Sequence, residues 1–144
     1  MKIKECMTRD VRTISPDRTI QEAASVMAAM DTGVLPVGEN DRLIGMITDR
    51  DISVRAVAKG MNCDTPVRQV MSEKVRYCFE DDDIDEVAEN MSELQVRRLP
   101  VVNRDKRLVG IIALGDMARG KTDEKVVGAT LQGISRSDGA RAPA

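Results

Sequence analysis

The chain has 144 residues, 42% of them hydrophobic and 32% charged, with a formal net charge of −2. That length suits one compact domain or two very small units sharing a core, and the composition predicts a folded globular chain. A nearly neutral balance with no basic block argues against a nucleic-acid partner, and no apolar run is long enough to cross a bilayer.

The first ten residues, "MKIKECMTRD", contain no apolar signal core, so cytoplasmic residence is expected. Cys6, Cys63 and Cys78 are odd in number and widely spaced, with no CxxC pair and no histidine to join them. Neither a zinc site nor a disulfide framework is expected; the cysteines are read as reduced, small apolar packing groups. Without histidine the commonest general base is missing, and Ser–His and Cys–His nucleophile pairs are excluded. No catalytic role is therefore expected. Tyr77 and Phe79 are the only aromatics and make no stacking platform for single-stranded nucleic acid.

In chain order the sequence repeats itself. A shift of 64 lays "MTRDVRT" from Met7 on "MSEKVRY" from Met71, "DRTIQEAASVM" on "DDDIDEVAENM", and "VLPV" on "RLPV"; a shift of 65 then lays "RLIGMITDRDI" on "RLVGIIALGDM". The reading is a first repeat at 1–62, a second at 63–120, and a C-terminal tail at 121–144. Each repeat opens on a short extended piece, Val11 to Ile14 or Val75 to Cys78. A helix follows, with capping-box spacing at Thr19/Glu22 and again at Asp83/Glu86. Ile20, Ala23, Ala24 and Met27, and Ile84, Val87, Ala88 and Met91, fall at the i, i+3, i+4, i+7 spacing of one buried helix face. Two strands come next, Leu35–Val37 and Leu43–Ile47 around "GENDR", then Leu99–Val101 and Leu108–Ile112 around "NRDKR". A second helix closes each repeat, at Asp49 to Lys59 and Gly115 to Arg119. The acidic run Glu80 to Asp83 is read as serving the helix that follows it. In the tail, Val126, Val127, Leu131 and Ile134 make a partial apolar stripe over Asp123 to Ile134, for packing on the pair or on a dimer mate. The last ten residues are expected to be disordered. One such repeat cannot bury its own apolar faces; two packed about a pseudo-twofold axis can, leaving two related clefts at the seam.

The order β–helix–β–β–helix, repeated once with "GVLPV", "RLIGMITDRDI" and "RLVGIIALGDM", resembles the CBS domain pair, or Bateman module, over about Lys4 to Arg119. "TDRDISVRAVAKG" is most similar to small stand-alone bacterial CBS-pair proteins of the hypoxic response type. The resemblance implies an α/β (α+β) fold of two tandem β-α-β-β-α repeats. It also implies a regulatory module that binds an adenosine-containing ligand, such as AMP, ADP, ATP or S-adenosylmethionine. A homodimer and an effector protein acting in trans follow from the same resemblance, because the chain carries no effector domain.

A nucleotide phosphate is met by helix N-terminal N–H groups and hydroxyl or cationic donors, and a ribose diol by a carboxylate. "GMITDRD" supplies both. The family pattern G-h-h-[ST]-x-x-[DN] falls on Gly45, Thr48 and Asp51, which places Thr48 at phosphate and Asp51 at ribose. In the second copy Gly110 and Asp116 match, but Ala113 replaces the hydroxyl, so unequal sites are expected. By the same resemblance the adenine slot maps onto Thr13, Ile14, Val34 and Pro36, with Tyr77, Cys78, Arg98 and Pro100 as second-repeat counterparts. Arg97 and Arg98 are read either as phosphate partners or as solvated surface charges. Thr48 with Asp51 is also an ordinary helix-capping arrangement, which keeps open a structural or protein-interaction dimer that binds no ligand.

Overall fold

The structure, a computed structural model, describes residues 1–119 and 124–136. Its two compact units are not the two sequence repeats. A central unit comprises Arg12–Val75, and a split unit joins Met1–Val11 to the described residues from Arg76 onward.

The central unit begins its regular structure at α1, Ile20–Met30. Thr19 caps it, its hydroxyl accepting the Glu22 N–H at 3.1 Å. The helix stops at Asp31, in the left-handed region at φ 52°. β1 (Val34–Glu39) and β2 (Arg42–Thr48) then pair antiparallel, with Val34 opposite Thr48. Asn40 and Asp41 at the turn both have positive φ, 54° and 62°, the two-residue hairpin geometry that matches strand twist and suits these residue types. Of the extended piece expected from Val11, only Ile14 joins the sheet, bridging parallel to Val37. The core gathers Ile14, Ile20, Met27, Leu35, Val37 and Ile47.

The helix expected over Asp49 to Lys59 has another form. A π-helical turn covers Asp51–Ala56 and a 3-10 turn covers Val57–Lys59, closed by Gly60 at φ 76°. Ile52, Ser53 and Val54 are weak α-helix formers and do not oppose that departure.

In the split unit, β3 (Cys78–Phe79) lies parallel to β4 (Arg98–Val102), which pairs antiparallel with β5 (Leu108–Ala113). α2 spans Ile84–Leu94, α3 Leu114–Arg119 and α4 Glu124–Ile134. Asp83 stands at the N-cap of α2 but its side chain makes no capping hydrogen bond, against expectation. The Asp83 carboxylate instead pairs with the Met1 ammonium at 3.6 Å, and the Ile84 N–H donates to the Met1 carbonyl at 3.0 Å. Met27 and Met91 are both core residues, as their helical spacing predicts.

α4 packs on α2 of its own unit. Gly133 sits against Ser92, and the Gln95 amide donates to the Gly133 and Arg136 carbonyls at 3.2 and 2.8 Å. The predicted stripe is partly wrong: Thr130, Gly133 and Ile134 are buried, whereas Leu131 is exposed. Close helix contact selects a small residue, and Gly133, which would weaken an isolated helix, permits the approach. Residue 120, residues 121–123 at the start of the predicted tail, and 137–144 of the ten residues expected to be disordered lie outside the described residues.

Of the cysteines, Cys78 belongs to the core, Cys6 is partly buried against it, and Cys63 is exposed rather than packed. Burial first, then the Asp82 charge and Cys6, push the Cys78 thiol up to about 12 from 9.0. The folded state therefore holds the proton more tightly than the unfolded chain. Stability from this group is complete below about pH 9 and is lost as pH rises toward about 12. Chemical denaturation at pH 7, 9, 10 and 11 should show a steeper alkaline decline in wild type than in Cys78→Ala; parallel curves would rule out this thiol as the cause.

Candidate functional site

The candidate site is the turn where β2 ends and the π-helical turn begins. The Thr48 N–H donates to Asp51 Oδ2 at 3.0 Å, and the Asp51 N–H donates to Thr48 Oγ1 at 3.0 Å. This reciprocal pair fixes both side chains in capping-box fashion. Asp49 anchors the turn from the other side, its N–H donating to the Gly33 carbonyl at 2.9 Å. A Cβ at Gly33 would lie 2.7 Å from Asp49 Oδ2, so a side chain there would have to displace the Asp49 carboxylate.

Asp51 is 2% exposed, and its second oxygen, Oδ1, is buried with no hydrogen-bond partner. Arg55 is the nearest cation, but its Nη1 stands 3.9 Å from Oδ1 and donates to the Met71 carbonyl at 3.3 Å. A buried carboxylate oxygen without a donor is costly to a fold. At this turn one acceptor is held in place, beside a Thr48 hydroxyl that still has its proton to give.

Other sequence-predicted residues assemble around the same strands. Val34 faces Thr48 across the hairpin. The Ile14 N–H donates to the Pro36 carbonyl, and the Gly38 N–H to the Ile14 carbonyl, each at 3.0 Å. Ile14, Val34 and Pro36 are buried, while Thr13 is exposed. These six residues all belong to the central unit. A cleft of about 420 Å³ also lies in this unit, lined by Ala24, Ala28, Asp31, Asp49 and Ile52 among others. Neither Thr48 nor Asp51 lines it.

Asp116, Arg97 and Arg98 belong to the split unit. Arg98 lies opposite Ala113 across the β4–β5 pair, and the Arg97 carbonyl accepts the Leu114 N–H at 2.9 Å. Both arginines are exposed. Tyr77 is exposed too, its ring edge-on to Phe79 at 5.7 Å, and Arg104 lies over the Phe79 ring at 5.0 Å.

Gly45 and Gly110 have a packing role that sequence reading missed. A Cβ on Gly45 would lie 2.8 Å from the Ser72 carbonyl oxygen, and one on Gly110 would lie 2.8 Å from that of Thr8. The signal was present in the chain, since "MT" and "MS" recur at one repeat position and the two glycines recur at another.

The architecture is thus a duplicated α+β unit whose strand-to-helix turn carries an aspartate in both copies and a fixed Thr–Asp pair in the first. The chain belongs to the CBS domain family: the family model matches residues 3–57 and 67–122. The chain is 41% identical over 136 residues to the CBS domain-containing protein YhcV of Bacillus subtilis, covering 94% of this chain and 96% of that protein. It is 35% identical over 126 residues to hypoxic response protein 1 of Mycobacterium tuberculosis, covering 86% and 87%. A crystal structure of Hypoxic Response Protein I, with two coordinated zinc ions, superposes with a TM-score of 0.75 at 36% identity, covering 83% of this chain and 98% of that one. The CBS domain pair of protein MJ0100, in complex with 5′-methylthioadenosine and S-adenosyl-L-methionine, gives a TM-score of 0.74 at 28% identity, covering 83% and 94%. The zinc ions are that protein's own. This chain has no histidine, and among the described residues no three His, Cys, Asp or Glu side chains converge on a metal position. No helix among the described residues is long and apolar enough to cross a membrane.

Proposed function

We propose that the protein is a cytoplasmic regulatory module that senses an adenosine-containing ligand at the Thr48–Asp51 turn and signals, as a homodimer, to a partner protein in trans. One observation carries this reading: a 2%-exposed carboxylate whose Oδ1 has no donor, locked beside a hydroxyl by two 3.0 Å hydrogen bonds. Asp51 Oδ1 accepts a ribose hydroxyl, and the Thr48 O–H, with Arg50 in the same turn, faces phosphate. Ile14, Val34 and Pro36 supply apolar surface for adenine. The related CBS pair that binds 5′-methylthioadenosine and S-adenosyl-L-methionine supports the ligand class. Signalling requires that the ligand bind two states of the protein unequally.

Thermal unfolding with millimolar AMP, ADP, ATP and S-adenosylmethionine tests the reading. A ligand at one hundred times its dissociation constant stabilises the fold by about 2.7 kcal/mol. For a chain of this length that raises the midpoint by on the order of 5–10 °C. No shift with any of the four would favour a protein-interaction dimer in which the turn only caps a helix.

A further inference from the structure

The two repeats place an aspartate at the same turn position, and their carboxylates are in different states. Asp51 and Asp116 each accept a backbone N–H on Oδ2, from Thr48 and Ala113, both at 3.0 Å. Their remaining oxygens differ. Asp51 Oδ1 has no hydrogen-bond partner, whereas Asp116 Oδ1 accepts a 2.8 Å hydrogen bond from the Arg119 guanidinium.

The cause is local. Arg119 stands three residues after Asp116 and reaches back over one turn; the matching residue after Asp51 is Val54, which has no donor to offer. Room for the guanidinium comes from Gly115, where a Cβ would lie only 3.3 Å from Arg119 Nη1. The matching position in the first repeat is Arg50. "GDMAR" thus encodes both the donor and its space, and "RDISV" encodes neither.

We propose that Arg119 is a built-in competitor for the Asp116 carboxylate, so that a ligand diol binds the second repeat only by displacing it. The inference rests on the ribose reading of Asp51, extended to its counterpart. Arg119 is 76% exposed and Asp116 10%, so the contact is an accessible ion pair that a ligand can displace. Exposed pairs of this kind change an equilibrium by on the order of fivefold at most. Ala113 offers no hydroxyl for phosphate, which makes a phosphate-free nucleoside the suitable probe.

Titration calorimetry of the full chain with 5′-methylthioadenosine tests this in wild type, Arg119→Gln and Arg119→Gln/Asp116→Asn. Arg119 is a surface side chain and the Asp116→Asn change keeps an oxygen to accept the Ala113 N–H, so circular dichroism should show all three folded. The expected result is one stronger and one weaker site in wild type. In Arg119→Gln the weaker site should tighten on the order of fivefold with the stronger unchanged. The double variant should lose the gain. An unchanged or weakened second site in Arg119→Gln would overturn the proposal. If wild type binds nothing while Arg119→Gln gains a site that the double variant loses, the competitor stands and the Asp51 reading falls. If no variant binds, both fall.

Discussion

Gly45→Ala is expected to destabilise the protein by about 1–3 kcal/mol, the range for an overpacked interior position. The added methyl meets a backbone carbonyl oxygen, that of Ser72, at 2.8 Å, and the Met71 sulfur also at 2.8 Å. A side chain can rotate away, but this carbonyl cannot, because it accepts the Met46 N–H at 3.0 Å while the Ser72 N–H donates back to Met46 at 2.8 Å. The methyl must break that bridge or bend β2, which leads directly into the Thr48–Asp51 turn. Gly110→Ala should act alike, since Thr8 and Ile111 exchange two hydrogen bonds of 2.9 Å beside a Cβ position 2.8 Å from the Thr8 oxygen. Urea denaturation measures the effect, and Gly128→Ala is the control with the opposite sign. Gly128 lies within α4 with nothing within 4 Å of its Cβ position. Alanine there should stabilise by about 0.5–1 kcal/mol. If Gly45→Ala costs no more than a surface change, the crossing segment yields easily and the packing argument is wrong.

The second large effect concerns Asp51, where capping and ligand binding are separable by chemistry. Asp51→Ala removes the acceptor of the Thr48 N–H, and loss of a helix cap costs about 1 kcal/mol. It also removes a buried oxygen that has no partner, which offsets part of that cost. The unliganded protein should therefore unfold only a few degrees lower, while the ligand-induced rise disappears. Asp51→Asn sharpens the test. Its carbonyl oxygen can still accept the Thr48 N–H, so the cap survives. Its amide, however, puts a donor where the free carboxylate oxygen stood. The expected outcome is a near wild-type midpoint without ligand and no rise with AMP or S-adenosylmethionine. A full ligand response in Asp51→Asn would show that this carboxylate does not hold the ribose.

These predictions use residues whose importance was unequally visible in the chain. Thr48, Asp51, Gly45 and their counterparts stand out because the repeat marks them. The hairpin around Asn40–Asp41 and the buried faces holding Met27 and Met91 follow from short-range rules of turn chemistry and helical period. The Thr19 cap is legible for the same reason: donor and acceptor lie three residues apart. The Asp83 cap has identical spacing and is not made, because the Asp83 carboxylate pairs at 3.6 Å with the Met1 ammonium, distant in sequence. Leu131 was misassigned similarly: hydropathy puts it inside, but the close approach of α4 to α2 buries Thr130 and Gly133 instead.

The sequence by itself determined the duplication, the strand and helix order, and the pair of acidic turns, since each is written in local pattern and its recurrence. Only the tertiary structure decided which unit each "M-[ST]" segment joins. The two segments are near copies, and either could in principle lie beside either glycine; Met7–Thr8 packs at Gly110 and Met71–Ser72 at Gly45. Tertiary structure also decided that Asp51 Oδ1 keeps no donor. Arg55, one turn further on, gives its guanidinium to the Met71 carbonyl and stands 3.9 Å from that oxygen, a matter of distances in space that spacing along the chain does not fix.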